Sequence, residues 1–92
     1  MKCFNQKKWD LLSRELKVSV ACRYCSLPYF SNLVVQTGLS KTDVHFALEN
    51  LTDLGKLDEN WERVSSGWAV CYRYNSRRDN SFIDLLIEEL SC

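Results

Sequence analysis

The sequence predicts an α+β domain, mostly helical, in which three helices precede a β-hairpin and a further helix follows it. Three observations predict this. Val44, Ala47, Leu48, Leu51 and Leu54 fall within roughly 120° of one another on a helical wheel, between a capping-box pattern (Ser40 with Asp43) and Gly55. After Gly55 the apolar period changes from helical to two, the mark of strands. Residues 81–91 then return to helical spacing.

The totals bound what such a domain can be. Ninety-two residues, 46% of them hydrophobic and three of them tryptophan, suit one packed domain spanning 1–92. Twelve basic side chains balance twelve acidic ones, so no overall field draws the chain to a polyanion. The distribution is uneven: positions 1–40 carry six bases and two acids, positions 41–92 six bases and ten acids. No stretch approaches the roughly 18 apolar residues of a membrane span. The opening MKCFNQKKWDLL lacks the apolar core of a secretory signal. With five cysteines, an odd number, the expected compartment is the reducing cytoplasm.

The elements follow in order. Asn5 is a good N-cap, and Phe4 with Trp9 occupy the two places of a hydrophobic staple. Trp9, Leu12, Leu16 and Val20 keep helical spacing, which predicts one first helix with one buried stripe. ACRYCSLPYF interrupts that period, and Pro28 disfavours helix at Leu27, so Leu27–Phe30 reads as a turn or short extended piece. Ser31 can cap a short helix running through Leu33, Val34 and Val35 to about Gln36, which Thr37-Gly38 breaks. Gly55, at the end of the next helix, stands where a left-handed cap is wanted. Leu57 and Trp61 then alternate with Asp58, Asn60 and Glu62. Trp68, Val70, Tyr72 and Tyr74 alternate with Ala69, Cys71 and Arg73, and Ser65-Ser66-Gly67 is the turn between. The tail opens on a second capping-box pattern (Ser81 with Asp84). Its residues Phe82, Ile83, Leu85, Leu86, Ile87 and Leu90 cover an arc of roughly 200°, wider than one packing face requires. Either the whole arc closes the core under the first helix in a monomer, or one side covers the chain's own core and the other a symmetry mate.

This order resembles a winged helix-turn-helix DNA-binding domain, and small bacterial and archaeal transcription regulators look most alike. The carriers are FSNLVVQTGLSKTDVHFALENLTDLGKL and the hairpin ENWERVSSGWAVCYRY, within a core of about residues 5–75. The resemblance implies a three-helix core with a hairpin wing, here with an added C-terminal helix at about 81–91 that serves as a dimerisation element. It implies sequence-specific binding of double-stranded DNA as a homodimeric regulator, the recognition helix at about 41–54 lying in the major groove. Ser40, Lys41, Thr42, His45 and Phe46 would face the groove. Lys41 would meet a phosphate or guanine, Thr42 and His45 a base edge, and Phe46 a thymine methyl. Arg63, Arg73 and Arg77, with Lys7 and Lys8, would hold phosphates. The chain departs from the pattern in two places. Both charges at the centre of the outward helix face, Glu49 and Asp53, are negative, and the wing tip has none. Phosphate neutralisation dominates affinity, so a monomer is expected to bind weakly. The alternative is a protein-interaction module that uses the acidic and aromatic face of Phe46, Glu49 and Asp53.

Little else in the chain carries chemistry. His45 is the only histidine, and no serine, carboxylate or glycine-rich arrangement makes a triad or phosphate cradle, so neither enzyme nor cofactor is expected. Cys22-Arg23-Tyr24-Cys25 is a CxxC pair, but a structural zinc usually takes two such pairs, and Cys3, Cys71 and Cys92 are scattered. The reading is ordinary thiols with no metal; a thiol or metal sensor is the alternative.

Overall fold

A computed structural model describes residues 5–25, 28–74 and 76–91, with the side chains of 76–81 excepted. The elements are α1 (Gln6–Asp10), α2 (Arg14–Tyr24), α3 (Phe30–Thr37), α4 (Lys41–Asp53), β1 (Leu57–Val64), β2 (Gly67–Tyr74) and α5 (Ser76–Leu90). Helices α2, α3 and α4 with the β1–β2 wing form the expected winged helix-turn-helix, and α1 and α5 are added to it.

The expected single first helix is two. Asn5 caps α1, its side chain accepting from the Lys8 amide at 3.2 Å. The helix ends at Asp10 because Ser13 restarts it: Ser13 is extended, and its Oγ accepts from the Leu16 amide at 3.2 Å. A serine that caps competes with the helical backbone bond it would otherwise join. Leu11, in the break, is 86% exposed. Trp9 and Val20 still share a cluster with Leu90, with Leu12, Leu86 and Ile87 against it. Phe4, the staple partner, lies outside the described residues.

Helix α3 starts at Phe30, and Ser31 is not its cap; the N-cap is Tyr29, which makes no side-chain capping bond. Strand pairing sets this boundary instead. Tyr29 bridges Cys71, and the Tyr72 amide donates to the Pro28 carbonyl at 3.0 Å, holding the extended piece expected around Pro28. The helix ends on Gly38 at φ +72°, whose amide donates to the Val34 carbonyl at 3.1 Å. Left-handed backbone of this kind favours glycine.

Ser40 caps α4 as expected, accepting from the Asp43 amide at 3.1 Å. Val44, Ala47, Leu48 and Leu51 are buried, whereas Leu54 is 61% exposed. Leu54 lies at the margin of the stripe and caps the helix, and Leu57, three residues on, takes the place in the core. At the exit the Lys56 amide donates to the Leu51 carbonyl at 2.9 Å and the Gly55 amide to the Thr52 carbonyl at 3.0 Å. These two bonds make a Schellman cap, with Gly55 at φ +74°.

The wing is an antiparallel hairpin with Ser65-Ser66 as its loop and Val64 opposite Gly67. Its Leu57, Tyr72 and Tyr74 join the core built from Val18, Ala21, Cys22, Leu33, Val44, Ala47, Leu48 and Leu51. Helix α5 begins at Ser76 rather than at 81, so Ser81 lies inside it. Its first turns are polar and precede the apolar period, which starts at Phe82, and so carry no periodic signal. Ile83 and Leu90 are buried, while Phe82 and Leu85 stay half or more exposed. No helix among the described residues is long and apolar enough to cross a membrane.

At Gly38 an added Cβ would meet nothing within 4 Å, so a substitution there tests backbone strain alone. Gly38→Ala should lower unfolding free energy by about 1–2 kcal/mol and Gly38→Asn by less, as read from urea denaturation midpoints. Equal losses for the two would mean that strain at φ +72° is not what holds glycine there.

Candidate nucleic-acid interface

The buried stripe of α4 decides what it shows to solvent. Ser40, Lys41, Thr42, His45, Phe46, Glu49, Asn50 and Asp53 are all exposed, Phe46 by 49%. The predicted helix residues therefore come together on one outward face. Their chemistry is partly committed. The Ser40 hydroxyl is taken up as the cap. His45 Nε2 lies 3.7 Å from Glu49 Oε2, one helical turn on, and pairs with it when protonated. The His45 ring centroid is 5.7 Å from that of Phe46, the planes tilted by 59°. Lys41 makes no ion pair with another described residue.

An ionic join that the sequence reading missed links the first turn of this helix to α2. Asp43 lies 3.6 Å from Arg14, which also bonds Glu15 at 2.6 Å. The hydrogen bond to Glu15 first, then the nearby carboxylates, push the Arg14 guanidinium above its ordinary pKa. Asp43 is thereby partly neutralised from α2.

On the wing the two predicted arginines differ. Arg73 lies 3.5 Å from Glu62, which also accepts the Tyr29 phenol at 2.8 Å. That network ties the wing to the entry of α3, and the bond to Glu62 raises the Tyr29 pKa. Arg63 is exposed and makes no ion pair with another described residue. The side chains of Arg77 and Arg78 lie outside the described residues. Lys8 is turned to another use: its ammonium donates to the Glu89 carbonyl at 3.2 Å, near the end of α5, where helix dipoles favour a cation.

Two residues that the sequence reading did not single out stand on the same wing. Trp61 is 65% exposed and Trp68 66%. Period-two alternation marks them as strand residues. It does not reveal that other elements cover Leu57, Cys71, Tyr72 and Tyr74 while Trp61 and Trp68 stay in solvent.

The CxxC pair is not a surface site. Cys22 and Cys71 are buried and Cys25 is half-buried. Loss of solvation, above all, pushes the Cys22 thiol well up from its usual range and raises that of Cys71, which disfavours the thiolate that a metal or an oxidant requires. Among the described residues no three His, Cys, Asp or Glu side chains converge to hold a metal ion.

No protein-family model matches the sequence, and no curated protein matches it. Among solved structures it is similar to a PadR-family transcription regulator from Clostridium difficile R20291, at 13% identity over 84% of this chain and 86% of that one, with a TM-score of 0.67. It is also similar to a possible transcriptional regulator from Methanosarcina mazei Go1, at 14% identity over 91% of this chain and 73% of that one, with a TM-score of 0.61. At these identities the likeness is one of fold, the winged helix.

The raised thiols and phenols set an alkaline limit. Cys22, Cys71, Tyr29 and Tyr72 all hold their protons more tightly when folded. The unfolded chain releases its cysteine protons first, from about pH 8.5. The stability these groups contribute is therefore complete below that pH and is lost as pH rises. Denaturant midpoints should fall steadily above it, and less steeply in Cys22→Ala. A profile that stays flat into the tyrosine range would contradict the burial of these protons.

Proposed function

We propose that the chain is a sequence-specific, double-stranded DNA-binding transcription regulator that works in the cytoplasm as a homodimer and catalyses nothing. The observation that carries this is the outward face of α4. Lys41, Thr42, His45 and Phe46 stand exposed on a helix whose opposite stripe is buried and whose start is capped by Ser40, just after the left-handed turn at Gly38. Such a helix can enter a major groove without refolding. Two transcription regulators share the fold, and that supports the reading. Lys41 and Arg63, which make no ion pair with another described residue, bring charge to phosphates; Arg73 divides its charge with Glu62, and Arg77, whose side chain lies outside the described residues, is assigned the same role from its place after the wing in the sequence.

Dimerisation has its own support. Phe82 and Leu85 lie one turn apart on α5 and remain exposed beside the Ile83, Leu86, Ile87 and Leu90 side that covers the core. A two-fold pair would double the phosphate-facing charge and set two recognition helices on one duplex. A second reading, a protein-docking winged helix, is favoured by one observation: Glu49 and Asp53 are both exposed on the α4 face that would meet DNA.

The deciding experiment is binding to mixed-sequence duplex at about 50 and about 200 mM salt. The proposal expects affinity to drop by orders of magnitude between the two. It expects Lys41→Ala to reduce the salt slope by about 1, and Thr42→Ala or His45→Ala to change the preferred sequence. Leu85→Glu should leave the chain folded but monomeric in sedimentation, with weaker DNA binding. Absence of duplex binding at the lower salt, with a folded protein, would hand the case to the docking reading.

A further inference from the structure

Two of the three tryptophans belong to no core. Trp9 is buried, whereas Trp61 in β1 and Trp68 in β2 are each about two-thirds in solvent. Residues directly opposed across a hairpin share a face of the sheet, and so do residues two apart on one strand. The register opposes Glu59 to Tyr72, Trp61 to Val70 and Arg63 to Trp68, so these six occupy one face of the wing. Along β1 the order on that face is acid, indole, base, at equal steps of two residues. Glu59 and Arg63 are both exposed, and neither makes an ion pair with another described residue. Four positions apart on an extended strand, their backbones stand roughly 13 Å from each other, too far for the two to pair within one chain. The opposite face is differently used: Glu62 there is engaged by Tyr29 and Arg73.

We propose that the face of Glu59, Trp61, Arg63 and Trp68 is a self-complementary contact between two copies of this chain, separate from the α5 contact and independent of the DNA-binding reading. The order of charges selects the occupant. In a two-fold contact, each residue that meets another is met by it in return. An axis lying between the copies and crossing the hairpin at the Trp61–Val70 pair reverses one wing over the other. It sets Glu59 of each copy against the partner's Arg63, so the ion pair forms twice. Trp61 meets its own counterpart on the axis, and Trp68 meets the partner's Tyr72, both favourable aromatic pairings. An acid and a base equidistant from a central indole satisfy this symmetry. A polyanion would instead leave Glu59 facing phosphate. Arg63 cannot serve a phosphate and the partner's Glu59 at once, so duplex and self-contact compete for it. Size sets the strength. Two indoles at this exposure and the flanking side chains offer roughly 500 Å² per copy. Two copies together stay under the roughly 1,200 Å² below which transient encounters lie. The expected dissociation constant is on the order of 0.1 mM.

The contact is read in the Leu85→Glu background, which removes the α5 contact, by sedimentation equilibrium from about 10 μM to about 1 mM. That protein should be a monomer at the lower end and largely dimeric at the upper. Adding Glu59→Lys or Arg63→Glu sets like charges against each other at both ends of the contact and should weaken it about tenfold. Adding both together restores opposite charges across the axis and should recover the association. Trp61→Ala should weaken it at least tenfold. These positions are exposed, and equal urea midpoints identify the variants as folded. Single charge variants that associate like their parent, or a double variant no stronger than the singles, overturn the two-fold pairing. A Leu85→Glu protein that stays monomeric to about 1 mM overturns the contact and leaves the α5 reading intact. If duplex DNA then shields its exposed tryptophans from iodide, the face belongs to nucleic acid. Equal association of wild-type and Leu85→Glu protein, lost on Glu59→Lys, supports the wing contact and removes the α5 reading instead.

Discussion

Everything in this fold is referred to α2, because the middle of α2, Val18 to Cys22, has no free side. Val18, Ser19, Val20, Ala21 and Cys22 are buried in succession, which is more than one complete helical turn. A helix buried all round must be packed by different neighbours on different sides. Val18, Ala21 and Cys22 face the cluster built from α3, α4 and β1, and Val20 the one built from Trp9 and Leu90. The two apolar clusters of the protein are thus the two sides of one helix. The direction in which α4 presents its outer residues follows from this, since its stripe can be covered only by turning toward α2.

The same arrangement accounts for how a chain with balanced charge distributes it. Arg14 meets Asp43 at one end of α2, Arg23 meets Asp84 at the other, and Arg73 meets Glu62 on the wing. Each pair joins two separate elements across a partly exposed surface. Exposed pairs of this kind contribute about 0–1 kcal/mol each, so orientation rather than strength is their effect. The cations engaged in these joins are not available to a polyanion on equal terms with Lys41 and Arg63. Net charge understates what the surface offers, and the count of arginines overstates it.

How much could be read from the residues depended on whether a signal was local. Gly38 and Gly55 act through their own backbone and Ser40 through its hydroxyl on the amide three residues on, and each was legible. So was the hairpin, whose period of two is a property of the strand itself. The division of the first helix was hidden because Trp9, Leu12, Leu16 and Val20 keep one period across the break, and a capping serine looks like any polar residue between apolar ones. The start of α3 was hidden for the opposite reason: it is set by Tyr29 pairing with Cys71, forty-two positions away in the chain. In the candidate site, the outward positions of α4 could be read from its stripe, and the His45–Glu49 pair from spacing one turn apart. The Arg14–Asp43 join, the Tyr29–Glu62 bond and the exposure of Trp61 and Trp68 belong to tertiary packing, which no window of sequence contains.

The contact that closes the chain has a consequence for its topology. The Asn5 amide donates to the Leu90 carbonyl at 2.7 Å, so the first helix begins where the last one ends. The path from Asn5 to Leu90 is nearly a ring with one bond missing. A covalent cross-link between these two helix ends would deny the unfolded chain its most extended states. For a loop of this length the loss corresponds to about 4–5 kcal/mol in favour of the fold. The exposed Ser65-Ser66 loop is then the natural place to reopen the ring. The order of elements along the chain is in that sense a convention, and the arrangement around α2 is the invariant.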